Sequence, residues 1–160
     1  MGLIDFIKGA GEKLFNKEDE AEKAAAEAAS RAATEKRRAK GLENYVSRLG
    51  FEVEALDIVV ADDLVTVTGT APSQEIREKL VLALGNTAGT ARVDDRIEVE
   101  AAEPEAQFYT VVSGDSLSLI AKRYYGNAMK YAVIFEANKP MLSDPDKIYP
   151  GQVLRIPAQD

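Results

Sequence analysis

Apolar side chains recur along this chain with two different periods, and each change of period marks a new element. Near the start, Leu3, Phe6, Ile7, Ala10 and Leu14 fall at helical spacing and predict a short amphipathic helix over residues 3–15, interrupted around Gly9 and Gly11. Residues 18–40 run through Ala, Glu, Lys and Arg with few large apolar side chains, which predicts a solvated helical segment with Gly41 as its break. Lys36, Arg37, Arg38 and Lys40 stand at the expected end of that segment, where cations complement a helix dipole. Leu42, Tyr45, Val46 and Leu49 mark the buried face of a further helix stopped by Gly50.

The period then shortens to two. Ile58 and Val60, followed by Val65 and Val67, alternate about Ala61-Asp62-Asp63 and predict a β-hairpin ending at Gly69. The acidic pair reads as turn chemistry rather than as a metal site. Ser73 is placed to cap a helix whose inward face is Ile76, Leu80, Ala83 and Leu84 and which stops at Gly85-Asn86. Arg92 to Glu100 predicts a third strand through Val93, Ile97 and Val99, with a slip of phase at Asp94-Asp95 of the kind a bulge makes. Residues 101–106, Ala-Ala-Glu-Pro-Glu-Ala, carry no large apolar side chain and predict a linker.

Beyond the linker, Phe108 to Val112 reads as a strand and Asp115 as the cap of a helix with Leu117, Ile120, Ala121 and Tyr124 inward. A second helix carries Tyr131, Ile134, Phe135 and Ala137, and Val153 to Ile156 forms a last strand. The expected fold class is α+β. It comprises a helical N-terminal segment (1–40) packing on a small domain of helix, hairpin, helix and strand (41–100), then the linker (101–106) and a strand, helix, helix, strand module (107–160).

Composition narrows the chemistry. Of 160 residues, 46% are hydrophobic and 29% charged, as expected for chains that bury a core. Cysteine and histidine are absent, which removes thiol nucleophiles, imidazole bases and the commonest zinc ligands. Ser118 and Lys122 lie four residues apart and read as solvated side chains of one helix face rather than as a dyad. A binding protein is therefore expected in place of an enzyme. The net charge of −7 disfavours nucleic acid and anionic membrane surfaces and favours a cation partner. Asp5, Lys8, Glu12 and Lys13 interrupt the first apolar residues, so no signal-peptide core is read and a cytoplasmic location is expected. No stretch of about 18 apolar residues occurs for a membrane span. The first helix is short and of mixed charge, and is expected to dock on the protein's own core rather than on a membrane.

The blocks Tyr109-Thr-Val-Val-Ser-Gly-Asp-Ser-Leu, Tyr125-Gly-Asn, Phe135-Glu-Ala-Asn and Ile148-Tyr-Pro-Gly-Gln-Val-Leu-Arg-Ile-Pro, within residues 107–158, resemble a LysM domain. Val65-Thr-Val-Thr-Gly and Thr90-Ala-Arg-Val-Asp-Asp-Arg-Ile, within residues 41–100, resemble a BON domain. Together with a Met-Gly-Leu start and Gly-Glu-Lys-Leu at residues 11–14, the whole chain resembles the small cytoplasmic potassium-binding proteins of bacteria. The Ala-rich stretch at 18–40 is longer than that family's usual connection.

This resemblance implies a potassium (K+) ion as the ligand of a monomeric sensor or buffer, and an alternative in which the LysM groove binds N-acetylglucosamine polymers. That groove would lie between Gly114 to Leu117 and Asn138 to Pro140 with Ile148. A third class, an adaptor docking its first helix on lipid or protein, also remains open. A large monovalent cation is well served by neutral carbonyl oxygens, and Gly85-Asn-Thr-Ala-Gly-Thr at a helix C-terminus has the right character, although a helix stop and turn explain the same glycines. The resemblance assigns the ligands to backbone carbonyls of Gly85, Thr87 and Thr90 in this loop and of Ile7 and Ala10 in the N-terminal segment. The ion would then compact the BON domain and that segment.

Overall fold

Alternation of Val and Ile with polar residues builds the centre of the molecule in the computed structural model, which describes residues 3–6, 30–101 and 103–159. Strands β2 (Glu54–Ala61) and β3 (Leu64–Ala71) form the hairpin, with Ile58, Val60, Val65 and Val67 buried on one face. Asp62 turns the corner in the left-handed region, φ 54°, which Asp tolerates better than most residues. The chain passes from β3 through α2 (Gln74–Gly85) into β4 (Arg92–Val99), which pairs with β3 in parallel. As expected, Ser73 caps α2, its hydroxyl accepting the Ile76 N–H at 3.2 Å.

Four expectations are corrected here. The alternation of β4 does not slip: β3 and β4 keep register from Leu64↔Arg92 to Ala71↔Val99. Asp95 simply occupies an inward position, 5% exposed, because Arg77 of α2 meets its carboxylate at 2.9 Å. The irregularity lies in β2, between Glu54 and Asp57, opposite Gly69. A Cβ on Gly69 would stand 2.8 Å from Val53 Cγ1 and 3.0 Å from the Glu54 carbonyl, so only glycine fits beside that bulge.

Second, Leu3–Asp5 form not a helix but strand β1, antiparallel to β4 at the sheet edge, giving the order β1-β4-β3-β2. The apolar set there satisfies a period of two as well, since Ile4 packs against the core, Phe6 is buried and Leu3 is exposed. The remainder of the expected first helix, and residues 18–29 of the Ala-rich segment, lie outside the described residues. Third, α1 (Arg31–Leu49) runs straight through Gly41. Thr34, Leu42, Tyr45 and Val46 are buried along it, and Glu35 and Arg38 bond the backbone of Asp62 at the hairpin tip. Tertiary contact thus overrides a penalty of about 1 kcal/mol for a mid-helix glycine. The basic cluster sits mid-helix, so the dipole does not account for it.

The last part pairs β5 (Gln107–Thr110) with β6 (Val153–Ile156) and covers them with α3 (Leu117–Tyr125) and α4 (Tyr131–Ala137). Fourth, Ser116 rather than Asp115 caps α3, accepting the Leu119 N–H at 3.2 Å. Asp115 accepts the Val112 N–H at 3.0 Å and the Tyr109 hydroxyl at 2.5 Å. Burial pushes this carboxyl up, but those bonds and the Arg123 charge outweigh it and hold it below its ordinary value. The architecture is α+β, and no described helix is long and apolar enough to cross a membrane.

Arg77 and Asp95 are both nearly buried, so removing one partner leaves an uncompensated interior charge. Asp95→Ala is expected to cost about 3–5 kcal/mol in urea unfolding; a loss below about 1 kcal/mol, the scale of an exposed pair, would contradict the pairing.

Candidate functional site

Helix α2 ends in a buried turn. The Asn86 N–H still reaches the Leu82 carbonyl at 3.0 Å, and Thr87 folds back so that its N–H and hydroxyl both bond the Leu84 carbonyl, at 3.3 and 2.6 Å. The Thr87 and Thr90 hydroxyls stand 3.0 Å apart, and the Thr90 N–H donates to the Thr87 carbonyl at 3.3 Å. With the Thr87 proton committed to Leu84, Thr90 is the donor of the hydroxyl pair. Asn86, Thr87 and Thr90 are each no more than 2% exposed. Among the described residues, no donor bonds the carbonyl of Gly85 or of Thr90. These oxygens lie at the negative end of the α2 dipole.

Two other parts of the chain meet at this turn. Phe6, the residue after β1, donates its N–H to the Ala91 carbonyl at 2.6 Å, and its ring lies on Gly85. A Cβ on Gly85 would stand 2.0 Å from Phe6 Cζ. From the other side, Asn86 pairs its carboxamide with the backbone of Val153 at the start of β6. Its Nδ2 donates to the Val153 carbonyl and its Oδ1 accepts the Val153 N–H, both at 2.8 Å. The same Nδ2 lies 3.4 Å from Met141 Sδ, and the Tyr149 hydroxyl donates to the Asn86 carbonyl at 3.3 Å. Farther along α2, Glu78 accepts Arg155 Nε and the Ala106 N–H, each at 2.9 Å.

Of the residues expected to hold the ion, Gly85, Thr87 and Thr90 fall on one turn, whereas Ile7 and Ala10 lie outside the described residues. The sequence reading missed Asn86 and Phe6. By sequence Asn86 is a helix stop, since nothing local points to a partner 67 positions away. Gly85 is expected to supply freedom to turn, but it is not among the positive-φ glycines; its role is space for the Phe6 ring.

One residue of the expected glycan groove, Asn138, has a structural role. Asn138 is 2% exposed and its carboxamide is committed to the Ile134 carbonyl at 2.7 Å and to Arg155 N–H and C=O at 2.7 and 2.9 Å. It closes the loop after α4 and has no free face for a sugar.

At the junction, burial raises the Tyr45 phenol from its ordinary 10.0 to about 12 against the opposing charge of Arg48. Burial also pushes the Tyr149 phenol up, and nearby Tyr45 adds to it. A folded-state pKa above the unfolded one makes this stability complete below about pH 10, and it is lost as pH rises toward 12. The unfolding midpoint is therefore expected to fall across that window, and less steeply in Tyr45→Phe. Equal slopes for the two proteins would place the phenol in solvent.

A BON domain model matches residues 37–101 and a LysM domain model matches residues 109–157. The chain is similar throughout to the Potassium binding protein Kbp of Escherichia coli O6:H1, at 46% identity over 160 residues, covering 99% of this chain and 100% of that protein. Shorter similarities link it to an uncharacterized protein of Deinococcus radiodurans, 57% identical over 50 residues, covering 31% of this chain and 19% of that protein. Esterase Rv1288 of Mycobacterium tuberculosis is 47% identical over 53 residues, covering 33% of this chain and 11% of that protein.

Proposed function

This chain belongs to the family of the Potassium binding protein Kbp, with one BON domain followed by one LysM domain, and we propose that it binds a potassium ion through backbone carbonyls of the turn after α2. The observation that carries this reading is the buried turn itself. It offers the uncharged oxygens of Gly85 and Thr90, with no protein donor on them among the described residues, at the negative end of a helix. The Thr87 carbonyl, engaged at the long distance of 3.3 Å, keeps a lone pair for the same ion.

Neutral carbonyls suit a large, weakly hydrated monovalent cation, whereas magnesium and calcium favour sites with carboxylates. Carbonyls of Ile7 and Ala10 complete the proposed set. The ion then links the N-terminal segment to the BON domain, and through Asn86 the order it brings extends to the LysM domain. The protein acts as a cytoplasmic potassium sensor or buffer, monomeric and without catalysis.

A ligand that binds only the folded state stabilises it by mass action, by about 2.7 kcal/mol at one hundred times its Kd. The unfolding midpoint is expected to be higher in potassium chloride than in sodium chloride at equal ionic strength, and the hydrodynamic radius smaller. Superimposable melting curves in the two salts would overturn the reading.

A further inference from the structure

Gly85 ends α2 where an alanine would hold the helix better, and its backbone has no need of a positive φ. What requires a glycine is Phe6. A Cβ at position 85 would lie 2.0 to 2.3 Å from three atoms of that ring, which is 8% exposed and held from behind by the bond from its own N–H to Ala91. Ala91 directly follows Thr90, and Gly85 is itself a proposed ligand. The ring and the N–H of one residue therefore grip both ends of the turn.

Building on the potassium reading, we propose that Phe6 and Gly85 form a seat that sets potassium affinity without Phe6 touching the ion. Phe6 is a positioning residue. Its ring packs on the Gly85 end of the turn and its N–H holds the Ala91 end, so it governs how far apart the Gly85 and Thr90 carbonyls stand. The spacing of the turn's carbonyls thus depends on where the Phe6 ring sits. A methyl group at position 85 displaces the ring and shifts that spacing, while leaving every proposed oxygen of the turn in the sequence.

The test is potassium titration calorimetry on the full chain for the wild type, Gly85→Ala, Phe6→Leu, and the double variant Gly85→Ala with Phe6→Leu. Unfolding midpoints in sodium chloride are measured for all four. Gly85→Ala is expected to weaken potassium binding tenfold or more, and Phe6→Leu by a smaller factor. The double variant is expected to return to within threefold of Phe6→Leu alone, because the shorter side chain leaves room for the methyl group. A merely structural role would lower the sodium midpoint in each variant and leave the potassium Kd within threefold of wild type; that result overturns the seat. Weak binding in Gly85→Ala without recovery in the double variant overturns it too. Absence of potassium heat in the wild type overturns the potassium reading, and the seat with it.

Discussion

The carboxamide of Asn86 is the interaction on which the rest of the arrangement depends. It is 2% exposed, so both of its polar atoms must find partners inside the protein. It meets that need by pairing with both backbone groups of Val153, as a neighbouring strand would. The start of β6 is thereby tied to one residue of the turn after α2. The residue on one side of Asn86 is the seat of Phe6, and the residue on the other side holds Leu84 and Thr90. These contacts are thus made by three consecutive residues of one turn.

Domain size explains why such a junction matters. Chains of about 60 residues bury only about 60% of the surface exposed when unfolded, so neither half has a large core of its own. The buried apolar cluster accordingly spans both, from Val46 and Leu84 to Ile120 and Leu154. Glu78 adds a polar tie to Arg155 and to the end of the linker. In a molecule of this kind, an ion held at the junction would bias the packing of the whole.

The elements legible in the sequence were those whose signals are local. The hairpin, the Ser73 cap, the stop at Gly85-Asn86 and the strands and helices of the LysM part follow from spacing and turn chemistry within a dozen residues. Apart from the choice between the neighbours Asp115 and Ser116 as the cap of α3, the misreadings involve a distant partner. Leu3–Asp5 fit a helix by spacing until β4 offers them an edge. Gly41 is a break until the hairpin tip binds Glu35 and Arg38, and Asp95 is out of phase until Arg77 faces it. The site divides in the same way. Its glycine loop was visible as a chemical type and its ligands came by resemblance. Asn86 and Phe6, which bring the parts together, were hidden because their partners lie far along the chain.

The central claim is that potassium at the turn tightens the junction held by Asn86. Hydrogen exchange of the Val153 amide, whose proton sits on Asn86 Oδ1, reads that junction directly. Its exchange is expected to slow when sodium is replaced by potassium at constant ionic strength, together with that of the Phe6 amide. An unchanged Val153 rate in a protein that demonstrably binds potassium would contradict the account.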